Sequence, residues 1–300
     1  MIECTCIGQH LNRRFDFSSC ESAVLVSQCV FYGLSEIGEG GAICLSKATI
    51  EFSLIDSTLT NCTSRSHGGG VYCQSKNQVL SRLCFSSCVC TSGTGNSAYL
   101  LLVDQFSTEN REIVWSSFVS CPEKLNNQDM LETMYGIDHT EDTNISACEV
   151  VNFIYDIYNY KGFFFERCTY SNDMCNYLIW FPDKTPSKYL KQCNVCNNTH
   201  TSSGTMIINS SPTICEGCVF IQNTFNSLCY NVGMLETINC KFYANSFSQG
   251  NYATSLSLSH LKIAKCLNGG GSWKFSFRTH EAFSLWKVFK LSILVRVLGL

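Results

Sequence analysis

Thr213-Ile-Cys-Glu-Gly-Cys218-Val-Phe-Ile-Gln-Asn223 is followed, 22 residues on, by Leu235-Glu-Thr-Ile-Asn-Cys240-Lys-Phe-Tyr-Ala-Asn245. Each segment reads as a short apolar strand, a cysteine, and then Cys-x-Phe-x-x-Asn. Working outward, Leu261-Lys-Ile-Ala-Lys-Cys266 repeats the first half, and Cys168-Thr-Tyr-Ser-Asn-Asp173 is a weaker relative of the second. Ten cysteines then fall into one series: Cys29, Cys62, Cys88, Cys121, Cys148, Cys168, Cys196, Cys218, Cys240 and Cys266. Their intervals of 20 to 33 residues lie in the range where each unit buries its apolar face only by stacking on its neighbours. The expectation is an all-β chain, a right-handed parallel β-helix of about ten coils over residues 1–275, with the series cysteines forming a single internal ladder.

Turn chemistry agrees. Gly40-Gly-Ala-Ile-Cys-Leu45 and Gly68-Gly-Gly-Val-Tyr-Cys73 place glycine before an apolar strand, and Gly40, Gly41, Gly68, Gly69 and Gly70 are expected to supply the positive φ of a tight corner. Asn223 and Asn245 are expected to take the left-handed conformation at a corner and to stack from coil to coil. Phe220 and Phe242 are expected to point inward, one above the other at the strand spacing of about 4.8 Å. Residues 122–161 fit the period least and read as an irregular insertion or helical excursion on a lateral face. The segment 276–300 reads as an apolar and basic tail. Lys287, Lys290 and Arg296 oppose a simple membrane span there, leaving a cap on the core or a peripheral membrane contact through 283–300.

Composition narrows the function classes. Asp and Glu number 24 against 21 Lys and Arg, so the chain has no electrostatic footprint for nucleic acid. Charged residues make up 15%, whereas Ser (37), Thr (21) and Asn (23) supply the polar surface. The 21 cysteines allow disulfides or stacked thiols. No basic and apolar secretory leader opens the chain at Met1, which reads as an intracellular protein or as a fragment.

Candidate chemistry is sparse. Cys193-Asn-Val-Cys196 and Cys215-Glu-Gly-Cys218 have a zinc-ribbon spacing. The pairs are also one coil apart, and i and i+3 on a strand face opposite sides, so a metal is not expected; Cys193, Cys196, Cys215 and Cys218 remain the candidate zinc ligands. Asp56, Asp104, Asp156, Asp173 and Asp183 are scattered and read as turn or solvated residues. His10, His67, His139, His200, His260 and His280 share no repeat position. No catalytic residue and no cofactor site is assigned.

The residues Gly40-Gly-Ala-Ile43, Gly69-Gly-Val71, Phe220 to Asn223 and Phe242 to Asn245 resemble the GGAI and FxxN tetrapeptides of the polymorphic outer membrane protein repeat. The resemblance spans about residues 20 to 270, and the protist-type surface proteins carrying this repeat are the closer match. It implies a right-handed parallel β-helix, a cell-surface or extracellular location, and a role in adhesion. The leading expectation is therefore a non-enzymatic structural or adhesive protein that presents an extended face to a protein or glycan. A carbohydrate-active β-helix enzyme and a zinc-stabilised interaction module are the alternatives.

Overall fold

The computed structural model describes residues 4–17, 19–103, 109–122, 129–157, 162–181, 188–209, 213–230, 235–247 and 256–257. Within them all regular structure is strand, and every strand pairing is parallel. The chain is a β-solenoid with three long sheets. The first face holds 11 strands, from Cys4–Ile7 and Ala23–Ser27 up to Leu256–Ser257. The second holds 10, from His10–Leu11 to Lys241–Tyr243, and the third 11, from Phe15–Asp16 to Ser246–Phe247. One coil shows the path: Glu51–Ile55 on the first face, Thr58–Thr60 on the second and Val71–Gln74 on the third, after which Gln78–Ser81 lies over Glu51–Ile55. A short extra sheet of Ser35–Glu36, Thr63–Ser64 and Val89–Cys90 widens the early coils.

Alternation within each strand places one set of side chains inside. On the second face Phe31, Leu59, Phe85, Phe118, Ile145, Tyr170, Val195, Phe220 and Phe242 stack in one row. The Phe220 and Phe242 rings lie 4.6 Å apart at an interplanar angle of 7°, as the repeat predicts. Phe85 and Phe118 stack at 4.8 Å. Every side chain of the row is buried, and burying a phenylalanine contributes roughly 1.5–3 kcal/mol.

The faces meet at two sharp corners. At the first, between the first and second faces, a residue with positive φ is followed by a buried one: Asp56 (φ 50°) then Ser57, Arg82 (φ 53°) then Leu83, Arg167 (φ 54°) then Cys168. The second corner, after the second face, repeats the device with Asn61 (φ 53°) before Cys62 and Gln222 (φ 53°) before Asn223. A left-handed non-glycine residue costs about 1–2 kcal/mol. Each corner N–H is meanwhile paired with the next coil, as in Asp56 N–H to Ser81 O at 3.0 Å and Asn61 N–H to Ser86 O at 2.9 Å.

Three expectations are corrected. The cysteines form two ladders. Cys29, Cys168, Cys218 and Cys240 occupy the first corner, and Cys62, Cys88, Cys121 and Cys148 the second. Cys196 belongs to neither: it lies on the second face between Ser171 and Ile221, half-buried, and Cys193 takes the first-corner place. Equivalent corner positions such as Ser57 and Cys62 are five residues apart, so a change of corner lengthens or shortens an interval by five. That explains the 33 residues from Cys29 to Cys62 and the 20 from Cys148 to Cys168. Cys266 and the tail 276–300 lie outside the described residues.

Second, residues 129–157 are no insertion. Leu131–Met134, Ile137–Glu141, Asn144–Ser146 and Glu149–Ile157 continue all three faces in register. The period is masked there because inward positions carry Asp138, Thr140 and Thr143 in place of apolar residues. Third, Asn223 and Asn245 are not the left-handed residues; Gln222 and Ala244 are, and the asparagines follow them as buried stacking positions.

Candidate functional site

The corner cysteines are hydrogen-bonding elements of the scaffold. At the first corner the Cys168, Cys193 and Cys218 thiols donate to the carbonyls of Thr140 (3.5 Å), Phe165 (3.7 Å) and Leu190 (3.3 Å) one coil below. In coils without cysteine, the hydroxyls of Ser57, Ser116 and Thr143 take the same position and donate to the carbonyl two residues earlier. At the second corner Cys88 N–H donates to Cys121 Sγ and Cys121 N–H to Cys148 Sγ, both at 3.3 Å. The line then changes chemistry: Cys148 N–H donates to Asp173 Oδ1, Asp173 N–H to Asn198 Oδ1, and Asn198 N–H to Asn223 Oδ1, at 3.0–3.1 Å. The asparagine Nδ2 groups donate downward, from Asn198 to Tyr170 O (3.1 Å) and from Asn223 to Val195 O (2.8 Å). Asp173, read from the sequence as a turn or solvated residue, stands at this corner but as a buried member of the row.

Burial pushes the thiols of Cys73 and Cys196 up, to about 12 and about 11, and raises Cys175 well above the ordinary range. Such groups stay protonated at neutral pH, and it is the thiolate that attacks or binds metal. Of the four candidate zinc ligands, Cys193 and Cys218 sit at the first corner, Cys215 points inward from the first face, and Cys196 lies on the second. Among the described residues no group of three or more His, Cys, Asp or Glu side chains is arranged to hold a metal ion. Cys4 and Cys20 form a disulfide, and the 17 other cysteines whose side chains are described are thiols.

Two acids missed in the sequence stand out on the third face. Glu132 continues an outward row from Tyr72 and Tyr99, whose rings stack at 5.5 Å, and His67 packs 4.7 Å from the Tyr99 ring. Burial raises the Glu132 carboxyl to about 7, against a hydrogen bond from Thr94, and Oε2 has no partner. Asp129, buried beside Asn152, is raised to about 6 by the same cause. No repeat signal marks either acid, since their neighbours in the row are not acidic. Asp56 pairs with Arg82 at the first corner. Asp104, Asp183, His260 and His280 lie outside the described residues.

The open surface is the outside of the first face. Its central row runs Glu112, His139, Phe164, Tyr189 and Ile214 in successive coils. Phe164 and Tyr189, each 38% exposed, stack at 5.3 Å and 3°, and the His139 ring meets Phe164 edge-on at 6.4 Å. The neighbouring row is Val114, Glu141, Glu166, Lys191 and Glu216. Along the first corner, Trp115, 58% exposed, donates through Nε1 to Asp142 at 3.2 Å. Arg167 binds Asp142 (2.9 Å) and Glu166 (2.7 Å) and pairs with Glu141. The acids at Glu166 and Glu216 share the position two before a first-corner cysteine, a signal present in the sequence once that corner is separated from the other.

No family model, curated protein or solved structure matches the chain.

Proposed function

We propose that this protein is a non-enzymatic repeat scaffold that presents the outer surface of its first face to a macromolecular partner, in the manner of a surface adhesin. The supporting observation is the exposed aromatic pair Phe164 and Tyr189, whose rings stack in parallel on adjacent coils. Aromatic residues on an ordered surface anchor interfaces at low entropic cost. The expected outcome is that beads coated with the protein adhere to cells or extracellular matrix, and that Phe164→Ser with Tyr189→Ser abolishes adhesion while leaving the circular dichroism spectrum unchanged. Equal adhesion by the double variant would end this reading.

A second reading, a carbohydrate-active enzyme, has one observation in its favour: Asp129 and Glu132 are buried acids close in sequence with raised pKa values, as a general acid requires. It calls for release of reducing sugar or unsaturated product from a polysaccharide panel, lost in Glu132→Gln. Absence of release from every polysaccharide removes it.

A further inference from the structure

The strip on the first face is not electrically balanced. Glu112, Glu141, Asp142, Glu166 and Glu216 stand on it or on its corner against Arg167 and Lys191. Arg167 gathers Glu141, Asp142 and Glu166, and Lys191 adds a longer contact to Glu166 at 3.7 Å. Glu112 and Glu216 are exposed and have no cation within ion-pair distance among the described residues. They bracket the aromatic pair: Glu112 lies two coils before Phe164, and Glu216 one coil beyond Tyr189. Four coil spacings separate the two carboxylates along the axis, roughly 19 Å at about 4.8 Å per coil, which about six extended residues span.

Resting on the presentation reading above, we propose that this strip docks an extended basic polypeptide segment. Cationic side chains at its two ends engage Glu112 and Glu216, and the apolar stems between them lie on Phe164 and Tyr189. Three features favour this partner. The acid excess attracts cations and repels nucleic acid and other polyanions. A second copy of the same strip would set carboxylate against carboxylate. Exposed aromatic rings beside unpaired acids suit long basic side chains, which combine an apolar stem, a cation and ring contact.

The test uses the full chain and a peptide of about seven residues with arginine at both ends and leucine at alternate positions between them, compared with the same peptide carrying glutamate ends. Calorimetry reports binding. The arginine-ended peptide is expected to bind and to weaken by about tenfold between low and high salt. Glu112→Gln with Glu216→Gln, and separately Phe164→Ser with Tyr189→Ser, are each expected to weaken it by about tenfold, whereas Glu21→Gln, outside the strip, leaves it unchanged. Equal binding of the glutamate-ended peptide or of a neutral oligosaccharide overturns the proposal, as does binding indifferent to the aromatic pair. Adhesion that is lost in the aromatic variant but not blocked by the arginine-ended peptide would refute the basic partner and leave the presentation reading standing. Adhesion insensitive to the aromatic variant would refute that reading itself.

Discussion

At the second corner one structural task is met by three side chains. Cysteine offers a weak donor and a weak acceptor, asparagine a stronger version of both, and aspartate the acceptor alone unless it is protonated. Asn198 and Asn223 use Oδ1 to receive an N–H and Nδ2 to satisfy a carbonyl below. Asp173 receives the Cys148 N–H on Oδ1, but its buried Oδ2 has no partner. Burial pushes the Asp173 carboxyl well above the usual range, against hydrogen bonds from the Cys148 and Ser171 backbone. Facing it are the titratable Cys148, Tyr170 and Cys175. The folded state therefore keeps a proton that the unfolded chain releases near pH 4. Stability from this group is complete below about pH 4 and declines as pH rises toward the folded pKa. Asp173→Asn restores a permanent donor. We expect it to stabilise the protein by about 1–3 kcal/mol at pH 7 and to flatten urea-unfolding stability between pH 4 and 8; an unchanged pH slope would exclude this role. Asn223→Leu is expected to cost about 2–4 kcal/mol by orphaning the Asn198 N–H and the Val195 carbonyl, with Asn223→Cys recovering much of it in the same assay.

At the scale of the strand, one row on the first face departs from apolar packing. Gln78, Arg111 and Asp138 follow one another in register and are buried. Arg111 donates from Nε to Gln78 Oε1 (2.9 Å), from Nη2 to the carbonyls of Leu100 (2.8 Å) and Met134 (2.9 Å), and pairs through Nη1 with Asp138. The guanidinium thus ties the first face to the third inside the core. Removing Arg111 takes away the buried ion-pair partner of Asp138 and the donor to Gln78, Leu100 and Met134, so Arg111→Met is expected to cost about 3–5 kcal/mol, and Arg111→Met with Asp138→Leu much less. Thermal unfolding of the single and double variants checks this. A double variant as unstable as the single one would show that packing, and not charge, sets the cost. The polar inward positions at 111–143 are also why the sequence concealed regular coils there. An amphipathic period is visible only when the inside is apolar.

Over the whole molecule, each coil rests only on its neighbours, so damage in the middle should act on both halves. Phe118→Ala opens a hole in the aromatic row between Phe85 and Ile145 and is expected to cost about 3–5 kcal/mol. In hydrogen exchange it should lower protection first in the coils next to residue 118 and last at the ends. Uniform loss throughout would show an all-or-none structure instead.

The sequence by itself determined the fold class, because strand, cysteine, Phe-x-x-Asn and corner glycine recur locally and each carries its own conformational preference. Phe220 over Phe242 and the positive φ of Gly40 and Gly68 followed from those preferences, whereas Gly41, Gly69 and Gly70 do not take positive φ, and Gly41 and Gly69 instead leave room for the backbone of the next coil. Only the tertiary structure decided that the cysteines run up two corners, that Cys193 and not Cys196 is in line, and that Glu112 and Glu216 flank an aromatic pair on one open face. Such relations join residues about a coil or more apart. Their neighbourhood is set by the register between coils, and loops of unequal length keep that register out of any fixed spacing along the chain.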